Sequence, residues 1–267
     1  MKKYFLACFA FLYVLPCYCL SICSWNIENI GPSKSDIEIQ FIASVIKNYD
    51  VVAIQEVVAG VGGAKAIAML WETLNRTGNN WDYCVSSPTT GSSYKTERYA
   101  FLWKTKQVKI KGKAWLEKRY NLEIDREPYL ATFEYKLHEF TLVNFHAITK
   151  SKQPESEIKY FKFLPAAYAP LNLIFCGDFN CPQAHTVFNP LKEMGYAAAL
   201  IGQKTSLKQK CIGNDCLASE YDNFFYQKKL FTNIQSGIIS FYKSFADLKE
   251  ARKISDHVPI FLVIDWK

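Results

Sequence analysis

Histidine is scarce in this chain: there are four among 267 residues, and they lie far apart. No Cys-x₂-Cys pair is present either, which argues against a structural zinc site. No linker rich in proline, glycine or serine interrupts the sequence, nothing repeats, and no stretch is of low complexity. That excludes repeat architectures and favours one domain, from about residue 20 to 267. Long apolar runs are also missing. Residues 4–15 are uncharged and mostly apolar, but the run is short for a membrane span and Pro16 breaks it. Nor does one sign of charge dominate: 32 basic against 25 acidic residues leave +7. This mild excess favours an anionic partner, although most surface lysines serve only to solvate.

What is present begins with a separable N-terminus. Met1-Lys2-Lys3, the short apolar run and Pro16 read as a secretory signal peptide of bacterial type over residues 1–19, with cleavage near Cys19. The mature chain then carries +5, having lost Lys2 and Lys3. Export to a secreted or periplasmic location, without stable membrane insertion, permits disulfides. Cys8, Cys17 and Cys19 leave with the signal. Cys23 and Cys176 sit in apolar strand patterns and read as buried thiols. Cys181, Cys211 and Cys216 lie in polar loops and are the pairing candidates, with the pair left open by spacing.

Residues 20–27 and 50–54 read as buried strands. Between them, Ser35-Asp36-Ile37-Glu38 resembles a capping box opening a helix whose stripe is Ile39, Ile42, Val45 and Ile46. Gly60 to Gly63 reads as a flexible loop before a second helix with Ile67, Leu70, Trp71 and Leu74 on one face. Further strands are expected at 81–85, 98–103, 108–111, 129–135, 140–145, 171–175, 223–226 and 258–264, and helices at 156–164 and 187–194. Strands outnumber helices, which suits an α/β fold of two packed sheets with helices outside.

Polar side chains cluster where these strands end. Asn26, Glu56, His146, Asp178 with Asn180, Asp222, and Asp256-His257 each adjoin an apolar run. Each alone is explained by capping or turn formation. Together they form a coherent chemical set. Asn26 and Glu56 offer oxygens to one hard divalent cation. Asp178, Asn180 and Asp256 offer oxygens to another, or orient water and phosphate. Two histidines beside carboxylates supply an acid and a base. No serine or cysteine nucleophile stands among them, so direct attack of water on a phosphodiester is the reaction this set suits.

These residues resemble the endonuclease/exonuclease/phosphatase superfamily, and its deoxyribonuclease I-like branch in particular. The resemblance rests on Trp25-Asn26-Ile27, Ile54-Gln55-Glu56-Val57, Tyr94-Lys95-Thr96-Glu97-Arg98-Tyr99, Arg126-Glu127-Pro128, His146, Gly177-Asp178-Phe179-Asn180, Tyr221-Asp222 and Ser255-Asp256-His257, in order along nearly the whole mature chain. It implies a four-layer α/β/β/α sandwich of two packed mixed β-sheets, acting as a monomer on DNA. It implies Mg²⁺ on Glu56 and Asn26, with Asp178 and Asp256 available to a second ion, Mn²⁺ as a substitute and Ca²⁺ in a structural role. His257 with Asp222, and His146 with Glu97, are the implied acid–base pairs. Asp178 and Asn180 position phosphate, and Arg126 and Tyr94 contact substrate. Two departures stand out: Thr96 is an extra residue in its segment, and Val58 replaces an arginine common in the branch. The resemblance favours a Cys181–Cys216 disulfide, with Cys211–Cys216 as the alternative. The same chemistry would serve a lipid, phosphoinositide or RNA substrate, and a non-catalytic binding module is the reading from another class.

Overall fold

The computed structural model describes residues 19–91 and 96–267. Tyr94 and nearly all of the signal segment lie outside the described residues. The first sheet contains β1 (Leu20–Ile30), β2 (Val51–Val58), β3 (Trp81–Val85) and β4 (Glu97–Lys104). The second contains β5 (Val108–Leu116), β6 (Tyr129–Tyr135), β7 (His138–His146), β8 (Leu173–Asp178) and β9 (Tyr196–Ala198). A hairpin of β10 (Leu207–Ile212) and β11 (Asp215–Leu217) stands apart; β12 (Asp222–Gln227) joins the second sheet, and β13 (Phe231–Ile238) and β14 (Ile260–Trp266) join the first. The strand orders are β13-β14-β1-β2-β4-β3 and β5-β6-β7-β8-β12-β9. In each sheet one central pair is parallel, β1 with β2 and β7 with β8, and the other pairings are antiparallel. Both sheets are therefore mixed, and they pack face to face with helices outside, as the expected four-layer sandwich.

Strand alternation explains the packing. Successive side chains point to opposite faces, so Leu20 and Ile22 of β1 enter the layer between the sheets while Cys23 and Trp25 face the helices. The helix α1 (Asp36–Ile46) opens on the expected capping box, the Ser35 backbone N–H donating to the Glu38 carboxylate at 2.7 Å, and buries Ile39, Ile42, Ala43 and Ile46. The helix α2 (Val61–Asn75) packs beside it. A third apolar layer, rich in phenylalanine, covers the outer face of the second sheet through Phe145, Phe161, Phe175, Phe179 and Phe225.

The same alternation delivers the polar set. Asn26 continues the inward parity of Leu20 and Ile22, Glu97 that of Tyr99 and Phe101, and His146 that of Phe140 and Leu142. Asp178 follows Ile174 and Cys176, and Asp222 precedes Phe224 and Tyr226. Five strands thus place their last inward position at one end of the inter-sheet layer. Just below, Gln55 and Asn144 tie the sheets together. Gln55 donates to the Asn144 Oδ1 and to the Ser24 hydroxyl at 3.1 Å, and the Asn144 amide donates to the Ile54 carbonyl at 3.1 Å.

Several expectations are revised. Gly60 to Gly63 is not a free loop: Gly60 caps α2, and a Cβ at Gly63 would collide with the Val58 carbonyl, so the glycines allow close packing. The helix expected at 156–164 is a series of short turns, Glu155–Ile158, Phe161–Phe163 and Leu164–Ala167. That expected at 187–194 splits likewise into Thr186–Phe188 and Asn189–Glu193. The strands β9, β10, β11 and β13 were not anticipated, because polar, exposed or very short strands leave little apolar alternation. The disulfide joins Cys211 to Cys216, not Cys181 to Cys216. The hairpin brings its two cysteines together across one turn, while Cys181 is buried in the third apolar layer with its thiol pushed up to about 11 by burial. Cys23 and Cys176 are buried thiols, as expected. No helix among the described residues is long and apolar enough to cross a membrane.

The buried amide clasp gives a stability prediction. Asn144→Ala removes one of the two acceptors of the Gln55 amide and the side-chain donor to the Ile54 carbonyl, and should cost about 1–3 kcal/mol. Urea unfolding measures it; an unchanged midpoint would show that the clasp does not stabilise the fold.

Candidate active site

The centre of the polar end is Asp178, 1% exposed. Its position follows from Gly177, which has φ +130° and sits against the Phe145 carbonyl where a Cβ would collide. Only glycine accommodates both demands. Asn180 does not reach the site by strand alternation, as an extended chain would require. It adopts φ +48° and turns back, its backbone N–H donating to Asp178 Oδ1 at 2.8 Å, while its side-chain amide donates to the Ala147 carbonyl at 3.1 Å. The Asn26 amide donates to Asp178 Oδ2 at 3.1 Å.

Two imidazoles converge on that same Oδ2. His146 Nε2 lies 3.5 Å away and His257 Nε2 lies 3.6 Å away. Each ring is held from behind by a carboxylate: His146 Nδ1 meets Glu97 Oε2 at 2.9 Å, and His257 Nδ1 meets Asp222 Oδ2 at 2.7 Å. A carboxylate on one ring nitrogen fixes the tautomer and raises the basicity of the other. Burial and Arg126 disfavour the His146 cation, but Glu97 and Asp178 outweigh them and raise its pKa. For His257, burial is overcome by Asp222 and Asp178, and its pKa stands well above the ordinary imidazole value. Burial opposes ionisation of Asp178 as well, yet His257, His146 and the amide donors hold its pKa down.

Glu56 lies beside this triad. β2 shifts register against β4 between Ile54 and Val57, and Glu56 takes φ +58° within that irregularity. This turns its carboxylate out of the strand sequence and toward the site, where Asn26 donates to Oε1 at 3.0 Å and the Asn29 backbone N–H to Oε2 at 3.2 Å. A non-glycine residue in this conformation costs of order 1–3 kcal/mol and is characteristic of functional positions. His146 Nε2 lies 3.8 Å from Glu56 Oε1. The Asn26 Oδ1 is buried with no hydrogen-bond partner. A carboxylate and an unpartnered buried amide oxygen are donors that fit a hard divalent cation. Asp178, Asp222 and His257 also stand close enough to share an ion. Asp222 Oδ2 is already committed to His257 Nδ1, however, so that cluster is better described as a buried imidazole held between two carboxylates.

Arg126 is more enclosed than a simple substrate contact. Its Nε donates to the His146 carbonyl at 3.0 Å, one terminal nitrogen to Glu97 Oε2 at 3.1 Å, and the other to the Ala147 carbonyl. It braces the Glu97–His146 pair, and it also lines a cavity of about 320 Å³ with Glu56 and Glu97. Asp256 lines the neighbouring cavity of about 520 Å³ that holds both histidines, and pairs with Arg252 at 3.5 Å. Among the described residues it makes no hydrogen bond to Glu56, Asn26 or Asp178.

Several contributors were not singled out from sequence. Thr205 is buried, and its hydroxyl accepts the Asp222 backbone N–H at 2.9 Å. The Ser255 hydroxyl donates to the Asn26 carbonyl at 2.6 Å and accepts the His257 N–H at 3.0 Å, fastening two strand ends together. The Tyr99 hydroxyl accepts the His146 N–H at 3.2 Å. The β10–β11 hairpin walls the larger cavity with Leu207, Lys208 and Gln209. Ser255 and Tyr99 lie inside recognisable segments; Thr205 carries no signal of its own.

A two-sheet sandwich with paired imidazoles and carboxylates at one end defines a class of phosphoester hydrolases. Residues 23–257 match the Endonuclease/Exonuclease/phosphatase family, and the chain belongs to that family, in its deoxyribonuclease I-like branch. It is 27% identical to deoxyribonuclease gamma of Rattus norvegicus over 271 residues, covering 90% of this chain and 83% of the relative. It is 26% identical to a deoxyribonuclease of Thioalkalivibrio sp. (strain K90mix), covering 92% of this chain and 71% of that one. In fold it resembles an endonuclease/exonuclease/phosphatase family protein of Leptotrichia buccalis C-1013-b, with TM-score 0.67 and 18% identity over 92% of this chain and 99% of the other.

The raised His257 pKa gives a signed pH prediction. A group whose folded pKa is raised contributes stability that is complete below its unfolded value, about 6.5, and lost as pH rises through the folded value. In EDTA the wild-type urea midpoint should therefore fall from neutral to mildly alkaline pH, and His257→Gln should decline less steeply over that window, keeping only the contribution of His146. Parallel declines in both proteins would refute the assignment.

Proposed function

We propose that this chain is an exported, divalent-metal-dependent endonuclease that hydrolyses DNA by direct attack of water on the phosphodiester. The carrying observation is the convergence of two carboxylate-backed imidazoles on one point beside Asp178. A scissile phosphate entering between them meets both Nε2 atoms. One imidazole takes a proton from the attacking water as its oxygen bonds to phosphorus. The other gives a proton to the leaving oxygen as the opposite P–O bond breaks. Glu97 and Asp222 hold the rings in register and offset the imidazolium charge, and Asp178 with Asn180 orients water and phosphate. Glu56 and Asn26 would hold Mg²⁺, or Mn²⁺ in its place; when bound, the ion supplies positive charge to the phosphorus oxygens. Asp256 stands at the cavity wall as a candidate ligand for a second ion.

The curated relatives that carry the name deoxyribonuclease support DNA as substrate. The net charge of +7 supports a polyanion, whose binding weakens with salt. The Cys211–Cys216 bond is compatible with an oxidising compartment.

Purified protein should nick supercoiled plasmid with Mg²⁺ and stop when EDTA is added. Metal-independent cutting, or none, would overturn the reading, and turnover of RNA or a phospholipid without nicking would reassign the substrate. His146→Ala and His257→Ala should each lower nicking by at least about 10²-fold while the protein stays folded. Glu97→Gln and Asp222→Asn should retain more activity than loss of the histidine each one backs. Full activity in both histidine variants would remove the acid–base assignment.

A further inference from the structure

Two strands away from His146, the sandwich edge opens into a cleft of about 780 Å³ that the hydrolytic chemistry does not use. Its walls are the end of β5 with Trp115, the turn after β3, Tyr129 at the start of β6, and Tyr168, with Lys118 and Arg119 at the rim. The site is built. Glu117, fully buried, accepts the backbone N–H groups of Arg119 at 3.0 Å and Tyr120 at 2.9 Å and the Tyr168 hydroxyl at 2.8 Å, fixing loop and ring together. Arg119 lies over the Tyr168 ring at 5.4 Å, and Trp115 packs 6.0 Å from it.

Beyond the rim the rings continue outward. Tyr120 lies 5.5 Å from Tyr160 and 6.0 Å from Phe163, which is 45% exposed. Lys159 sits over Tyr160 at 5.2 Å and Lys162 over Phe163 at 5.0 Å. Trp115, Tyr120, Tyr160 and Tyr168 pack against the third apolar layer on one side and stay only partly buried on the other. Here half-buried aromatic faces alternate with exposed cations, the arrangement that stacks unpaired bases and tracks their phosphates. The track also joins the candidate active site. Glu127 lines the cleft, and its neighbour Arg126 is bonded to Glu97 behind His146. Leu116 pairs with Tyr129 and Tyr129 with Asn144, so the cleft lies two strand spacings, about 10 Å, from β7.

We infer that this aromatic–cationic track from Trp115 to Phe163 is a binding platform for single-stranded nucleic acid, receiving the unpaired part of a strand whose phosphodiester lies between the histidines. The inference rests on the nuclease reading for the second half of that statement only. A hairpin end, gap or frayed terminus would then bind better than an intact duplex, whose bases are stacked internally.

The test is equilibrium binding of a labelled oligothymidylate to the full chain in EDTA, by anisotropy, for wild type, Arg119→Ala, Phe163→Ala and Tyr160→Ala. Each aromatic removal should weaken single-strand binding about 5- to 150-fold, with little change for a blunt duplex. Hydrolysis of bis-p-nitrophenyl phosphate, too small to reach the track, should be unchanged with Mg²⁺ in every variant, which also reports an intact fold. Unchanged oligothymidylate affinity would overturn the proposal. So would loss of binding to anionic phosphatidylglycerol vesicles with oligothymidylate binding retained, which would make the track a lipid-facing surface. If wild type hydrolyses neither plasmid nor the small diester, the nuclease reading fails, and the EDTA binding series still decides whether the track binds a single strand.

Discussion

A buried carboxylate is the constraint around which this molecule is arranged. Removing an ion from water costs several kcal/mol unless partners compensate, and Asp178 lies at the end of the fully buried strand β8 with almost no exposure. Its compensation comes from the amides of Asn26 and Asn180 and from two imidazoles on different sheets. Those partners sit on β1, on the turn after β8, on β7 and just before β14. Satisfying one charge therefore requires both sheets to be assembled in register. The amide clasp between Gln55 and Asn144 lies one layer deeper and enforces the same register. Stability and chemistry are coupled at this end because the groups that neutralise Asp178 are the groups that would move protons.

Glu56 shows the complementary arrangement. It is not placed by a regular strand but by a disruption of one, where β2 slips against β4 and the backbone enters the left-handed region. Regular alternation brings Asn26, Glu97, His146, Asp178 and Asp222 inward, and the irregularity adds one more carboxylate from a strand whose preceding position, Gln55, is already used for the clasp. Two adjacent residues thus serve two layers of the same site.

Much of this was legible in the sequence, for a physical reason. Apolar strands bounded by Asn26, His146, Asp178 and Asp222 carry their own register, because period-two alternation fixes which side of the sheet each of these residues faces. The capping box at Ser35 and Glu38 is equally local. What could not be read depended on distant contacts. Arg126 looked like a free hand for phosphate, and its three bonds to Glu97, His146 and Ala147 arise only when β4, β7 and the loop before β6 meet. Period-two alternation along β8 would carry on to Asn180, but the turn after Gly177, with Asn180 at φ +48°, overrides it. The β10–β11 hairpin is polar and exposed, and gave no alternation to reveal that its cysteines face one another.

That hairpin bears on how the chain matures. Cys211 and Cys216 are only five positions apart along the sequence, so the two sulfurs meet through a local turn without waiting for either sheet to form. A crosslink over so short a loop restricts the unfolded chain far less than one tying together distant parts of the fold would. Its effect is therefore regional: it holds in shape the hairpin that walls the cavity beside the two histidines, while the remainder of the protein relies on its apolar layers. In an oxidising compartment, this bond can form early and leave the thiols of Cys23, Cys176 and Cys181 to be sealed inside as the sandwich closes.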